Sequence, residues 1–119
     1  VIISSGPPHS MHLIAQRLKQ KNNIKWIADF RDPWTDLYYN NVFKQLSFAK
    51  RKNKKLETNV LKNADCVLTV SNSLKNEFSK IASRVELITN GFDDEVVTDK
   101  VINLDKKFTI SYIGLLPKQ

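Results

Sequence analysis

Four short apolar runs divide this chain, and amphipathic segments separate them. The runs are "VIIS" at 1–4, "KWIAD" at 25–29, "CVLTV" at 66–70 and "VELIT" at 85–89. Each is a short, largely continuous apolar run closed by turn residues or a change of pattern, so each reads as a strand. A strand with apolar side chains on both faces lies inside a parallel sheet covered by helices. The first run, closed by Ser5, Gly6, Pro7 and Pro8, is read as buried on both faces.

The segments between the runs carry a helical period. Over 9–22, Met11, Ile14, Ala15 and Leu18 fall at i, i+3, i+4 and i+7, which predicts one buried face. "KNN" ends that helix, because Asn suits a helix C-terminus. A second helix is predicted over 41–63, with Val42, Leu46, Ala49, Leu56 and Val60 as its apolar stripe and Asn53 its weak point. Ser71 or Asn72 caps a third, which buries Leu74, Phe78 and Ile81. After "NGFDDE", residues 93–107 are polar and irregular and read as a linker. "FTISYIG" at 108–114 reads as a fifth strand. The alternation βαβαβαβ implies an α/β fold, a Rossmann-like parallel sheet with flanking helices and right-handed crossovers.

Composition narrows the class. The 119 residues are 41% hydrophobic and 26% charged, ordinary for a globular domain. The single cysteine, Cys66, excludes an internal disulfide and reads as a reduced, buried thiol. No apolar run has the length of a membrane span. The chain begins with Val1 inside a strand and ends in a strand and turn, which predicts a piece of something longer.

The net charge of +7 is concentrated. Residues 44–62 hold seven basic residues against one acid, Glu57, and so carry six of the seven net charges. The run Lys50, Arg51, Lys52, Lys54 and Lys55 has three readings. It is a solvated face, an attraction to anionic lipid, or a nucleic-acid contact. Aromatics do not interleave it and no nucleic-acid motif surrounds it, so nucleic acid is not the expected partner.

Ligands of open parallel sheets bind beyond the carboxyl ends of the strands. Three connections leave on that edge. In "SSGPPHS", Gly6 permits an unusual turn, and the helix start with His9, Ser10 and His12 can meet an anion or a hydroxyl. A rigid turn with solvated histidines explains the same residues equally well. In "DFRDPW", Asp29, Arg31 and Asp32 sit at a strand end, and Pro33 pins the turn. One acid there is expected to pair with Arg31 and orient the loop. Alternatively, Arg31 meets a phosphate or sugar hydroxyl and Asp32 accepts from an acceptor hydroxyl. Trp34 covers the core or offers its face to a sugar ring. In "TVSNS" a helix cap suffices. Two histidines three residues apart and one distant cysteine do not make a metal ligand set.

The ordered segments "SSGPPHSMHLIAQRLKQKNNIKWIADFRDPW", "VLTVSNSLKNEF", "VELITNGFDDE" and "ISYIGLL" resemble family 4 (group 1) glycosyltransferases of the GT-B fold. The resemblance covers nearly the whole chain. "ITNGFD" is similar to the family's P-N-G-[VF]-D element, with Thr89 in place of Pro. It implies that 1–92 is the back half of an N-terminal, acceptor-side Rossmann-like domain. Residues 93–107 would be the interdomain linker, and 108–119 the first strand of a C-terminal, donor-side domain. The family's E-x7-E element would lie beyond Gln119, and its Gly-rich loop before Val1. Arg31 stands where the family often has His, and Leu115 follows Gly114 where an Arg often grips diphosphate.

The resemblance further implies a retaining transfer from a nucleotide-sugar donor to a glycan or lipid-linked acceptor, in polysaccharide biosynthesis. It implies no metal or other cofactor and a cytoplasmic site, and the basic run adds the expectation of a peripheral place on the inner face of the cell membrane. The fragment alone would be inactive. Gly6, His9, Ser10, His12, Arg31, Asp32 and Trp34 would line the acceptor or sugar side, with Arg31 and Asp32 the catalytic candidates and Gly114 on the donor-phosphate side. Competing readings are a non-catalytic phosphosugar-binding module, a nucleic-acid module using Lys50 to Lys55, and an epimerase of the same architecture.

Overall fold

The computed structural model describes residues 1–35, 46–91, 108–110 and 114. Its elements run β1 (Ile2–Gly6), α1 (Ser10–Asn22), β2 (Trp26–Phe30), α2 (Ser47–Asn63), β3 (Cys66–Thr69), α3 (Asn72–Phe78) and β4 (Val85–Leu87). The strands form one sheet in the order β1-β2-β3-β4, all parallel. The α/β alternation read from the apolar runs therefore stands.

The registers bring the strand ends level. Gly6 lies beside Phe30, Phe30 beside Thr69, and Thr69 beside Leu87. The loops after all four strands thus leave from one edge. At the opposite edge, Asp65 ties the sheet to its helices. It accepts from the Trp26 amide at 2.9 Å and pairs with Lys19 at 2.7 Å and Lys25 at 3.2 Å. Those donors hold its carboxyl well below the usual carboxylate range, Lys19 first.

The core is made by Trp26, Ala28 and Phe30 of β2, Val60 and Leu61 of α2, and Val67, Phe78 and Val85. Trp26, Phe30, Val60, Leu61 and Val67 are fully buried. Each such side chain contributes about 1.5–3 kcal/mol by leaving water. Phe30 is the hinge of this packing: Phe78 meets it edge-on at 5.1 Å, and His12 stacks on it at 4.4 Å.

Several expectations need correction. β1 is not buried on both faces: Ile3 is 67% exposed while Ser4 and Gly6 are buried. The reason is its place at the edge of the sheet, with a helix over one face. The stripe of α1 is also rotated. Met11, Ile14 and Leu18 are exposed, and the buried face is His12, Ala15 and Gln16. Those residues also stand at i, i+3 and i+4, and His12 among them meets Ser4 Oγ at 2.8 Å. In α2 the buried residues are Glu57, Val60 and Leu61. Leu46 is exposed, Ala49 and Leu56 are half-buried, and Val42 lies outside the described residues. Cys66 is half-buried rather than buried, and burial still pushes its thiol up. Residues 108–110 form no strand and are exposed, and 111–113 lie outside the described residues.

Other local expectations hold. α1 closes on Asn23 in the left-handed region, φ 50° and ψ 45°, a conformation Asn tolerates. Ser71 caps α3, its hydroxyl accepting from the Leu74 amide at 3.3 Å.

Candidate functional site at the carboxyl edge of the sheet

Two of the singled-out loops meet at one rim. The loop after β1 carries His9, and the loop after β2 carries Trp34. Their rings stack at 5.3 Å, nearly parallel at 14°. His9 also lies against Phe30 at 5.8 Å and His12 at 5.9 Å. The rim is therefore a short aromatic stack with two imidazoles in it.

Gly6 makes this approach possible. A Cβ there would stand 2.8 Å from both His9 Nδ1 and His12 Nε2, closer than any side-chain carbon tolerates. The requirement is close approach, not backbone geometry. His12 Nδ1 lies 2.8 Å from Ser4 Oγ, which in turn accepts from Trp26 Nε1 at 2.9 Å. His12 Nε2 and both His9 nitrogens are buried without a hydrogen-bond partner among the described residues.

The electrostatics favour neutral rings. Burial pushes His12 down to about 4, helped by neighbouring His9 and opposed by Asp29. Burial also lowers His9, against the charge of Glu57, the Pro33 carbonyl and Asp32.

A second, polar chain runs along the same rim. Ser5 Oγ donates to Asp29 Oδ2 at 2.8 Å, and Arg31 Nε pairs with that oxygen at 3.2 Å. Arg31 Nη1 then donates to Asn90 Oδ1 at 2.5 Å. The chain spans from β1 to the segment after β4 and includes the Asn of "ITNGFD". Asp29 is thus the acid that orients Arg31. Asp32 is exposed and makes no hydrogen bond or ion pair among the described residues.

The anion expectation at the start of α1 meets a competing use of its amides. The Met11 and His12 N–H groups already donate to the Pro8 and His9 carbonyls, each at 3.1 Å. Ser10 is exposed at the first helical position. Gly114 is exposed, and its sequence neighbours lie outside the described residues. No group of three His, Cys, Asp or Glu able to hold a metal occurs among the described residues.

One positioning residue escaped the sequence reading. Glu57, the only acid in the basic stretch, points inward with its side chain 3% exposed. Its Oε1 accepts from the Trp34 and Thr35 amides, both at 3.2 Å. Its Oε2 accepts from Thr35 Oγ1 at 2.6 Å and Lys54 Nζ at 2.9 Å. It fastens the end of "DFRDPW" and so sets Trp34 over His9. Its spacing with Val60 and Leu61, at i, i+3 and i+4, was the available signal.

The basic run decorates the outer side of α2. Lys50, Arg51, Lys52, Lys54 and Lys55 lie along it, and Leu46 and Phe48 just before them are exposed. No helix among the described residues is long and apolar enough to cross a membrane.

No curated protein and no solved structure matches the chain. The model of Glycosyltransferase Family 4 matches residues 1–96, which include all four strands and both rim loops. The chain belongs to glycosyltransferase family 4.

Proposed function

We propose that the full protein transfers a sugar, with retention, from a nucleotide-sugar donor to a glycan or lipid-linked acceptor, and that this rim is its acceptor side. The observation carrying this reading is the convergence of the loops after β1 and β2, seen in the 5.3 Å stack of His9 on Trp34. Membership of the family supports sugar chemistry. Trp34 supplies an apolar face of the kind that sugar rings cover. Arg31, held by Asp29 and Asn90, supplies a fixed positive charge for a departing phosphate. The reacting hydroxyl of the acceptor gives its proton to the leaving phosphate as its oxygen bonds the sugar carbon, and Asp32, exposed beside Arg31, accepts from a second hydroxyl of the acceptor, so the protein mainly orients the reactants. Gly114 would stand on the donor-phosphate side.

The test is release of nucleoside diphosphate by the full chain from uridine- and guanosine-diphosphate hexoses, with and without glycan and lipid-linked acceptors. Arg31→Ala is expected to lower release at least ten-fold, the cost of about one charge-assisted hydrogen bond. Release from no donor, or an unchanged rate in that variant, refutes the assignment.

The basic helix supports a second part of the proposal, peripheral attachment to an anionic membrane on its cytoplasmic face. Leu46 is 65% exposed and Phe48 69% exposed beside the charged run, and apolar anchors next to lysines suit a lipid interface. Each basic residue near such a surface contributes about 1 kcal/mol. Sedimentation with phosphatidylserine-containing vesicles, but not with phosphatidylcholine alone, is expected. Replacing the five basic residues by Gln should abolish it, and retention by that variant refutes the attachment.

A further inference from the structure

Two sets of contacts fix how α2 stands against the sheet. At its C-terminus, the Asn63 carbonyl accepts from Lys19 Nζ at 2.7 Å, and the Asp65 amide donates to the Trp26 carbonyl at 3.0 Å, at the start of β2. Earlier in the helix, Glu57 holds the Trp34 and Thr35 amides, past the end of β2. The axis therefore runs from the amino edge of the sheet to the rim. Residues 47–56 continue beyond that level, by about 15 Å at a rise of about 1.5 Å per residue.

This projecting half carries Lys50 to Lys55, with Phe48 at its tip, and all five cations of the run are exposed. They are not equivalent. At about 100° per residue, Phe48, Arg51, Lys52, Lys55 and Lys62 fall within one arc of about 100°. Glu57 stands diametrically opposite Phe48, and Lys50 and Lys54 fall on the Glu57 side. Lys54 is engaged there with the carboxylate. The four cations of the stripe make no hydrogen bond or ion pair through their side chains among the described residues. An exposed aromatic followed by a line of uncommitted cations matches an anionic lipid surface.

We propose that this stripe lies on an anionic bilayer and that the acceptor used at the rim is anchored in the same bilayer, a lipid with a short sugar or polyol head group rather than a soluble glycan. One helix then has the bilayer on its outer side and the rim on its inner side. Trp34, held by Glu57 on that inner side, stands one helix diameter from the lipid surface, about 10 Å. A head group of that reach meets the rim while its acyl chains stay in the membrane. The acceptor class rests on the function proposed for this rim; the orientation of α2 on the bilayer does not.

Orientation is tested with the full chain on phosphatidylserine-containing vesicles, by two double variants that remove equal charge. Arg51→Gln with Lys55→Gln should weaken vesicle binding about thirty-fold. Lys50→Gln with Lys54→Gln should weaken it far less, because those charges stand a helix diameter back, beyond a Debye length of about 8 Å at physiological salt. Equal losses, or no loss in the first pair, overturn the orientation.

The acceptor class is tested by transfer from uridine- and guanosine-diphosphate hexoses. A hexosyl diacylglycerol carried in those vesicles is compared with the methyl glycoside of the same hexose in solution. The vesicle-borne acceptor should be used about ten-fold faster or more, since confinement to one surface raises its effective concentration. Equal or faster transfer to the methyl glycoside overturns the acceptor class, as does transfer to soluble glycans alone. Absence of transfer from every donor to every acceptor overturns the proposed function and the acceptor class together, while vesicle binding still decides the orientation.

Discussion

Acid should destabilise this fold in a window set by the rim imidazoles. The perturbation is a titration from about pH 7.5 to about pH 4.5, crossing the ordinary histidine range. In the unfolded chain His12 protonates near 6.5, and in the native fold only at about 4. Below 6.5 the unfolded state binds a proton that the native state refuses, so stability falls as pH falls. The loss flattens near 4, where the native ring protonates too. At about 1.4 kcal/mol per pKa unit, the gap amounts to roughly 3 kcal/mol. That is a large share of an ordinary domain's total of about 5–15 kcal/mol.

Other groups do not blur the window. His9 contributes with the same sign, since burial lowers it as well. Asp29 faces His12 from β2 and opposes part of its shift. The depressed carboxyls act lower: the stabilisation from Asp65 is present above its usual 3.8 and lost only as pH falls below that. The assay is equilibrium urea unfolding across the range for the unmodified chain and His12→Gln. The unmodified chain should lose stability more steeply between about pH 6.5 and about pH 4.5, by roughly 2 kcal/mol or more in total. Parallel pH profiles would refute the reasoning, whatever the absolute stabilities.

Three further outcomes rest on named contacts. Glu57→Ala strands the Trp34 and Thr35 donors and should cost about 2–3 kcal/mol in urea unfolding, with a changed Trp34 fluorescence. Gly6→Ala drives a carbon against both imidazoles and should cost about 1–3 kcal/mol. The same substitution should abolish the nuclear Overhauser effect between the His9 and Trp34 rings. Ser71→Ala removes the acceptor for the Leu74 amide and should cost about 1 kcal/mol by thermal unfolding.

The four parallel strands were legible because each is a short apolar run, and such runs have few other places to go. The faces of the helices were less legible. In α1 the apolar positions Met11, Ile14 and Leu18 suggest one buried face, but the helix buries His12, Ala15 and Gln16. Periodicity counts apolar residues, whereas the face buried here includes a polar contact, His12 to Ser4. That bond joins residues eight apart in separate elements, and no local pattern encodes it. The rim was half legible. The pairing of one acid with Arg31 was expected and is made by Asp29. The stack of His9 on Trp34 depends on the β1–β2 register, in which Gly6 lies beside Phe30, and register is a long-range property. Glu57 was seen only as a charge against a basic background, because its partners are mostly backbone amides, which nearly every residue carries.

Glu57 also decides whether the two proposed surfaces interfere. Lys54 belongs to the exposed basic run and to the Glu57 cluster at once, donating to Oε2 at 2.9 Å. An anionic membrane that captured Lys54 would take one partner from the carboxylate that fastens the loop after β2. The magnitudes say the loop survives. Lys54 is 61% exposed, and a pair so wet is worth about 0–1 kcal/mol. The three loop donors remain: two amides and the Thr35 hydroxyl, the last at 2.6 Å. Hydrogen bonds to a charged acceptor contribute about 1.5–3 kcal/mol each. The carboxylate therefore keeps most of its anchoring when Lys54 leaves, and membrane attachment through α2 leaves Trp34 in place over His9. Lys54→Gln tests this separation: the Trp34 fluorescence should match that of the unmodified chain, and a shift like that of Glu57→Ala would show that the lysine, not the loop donors, holds the cluster.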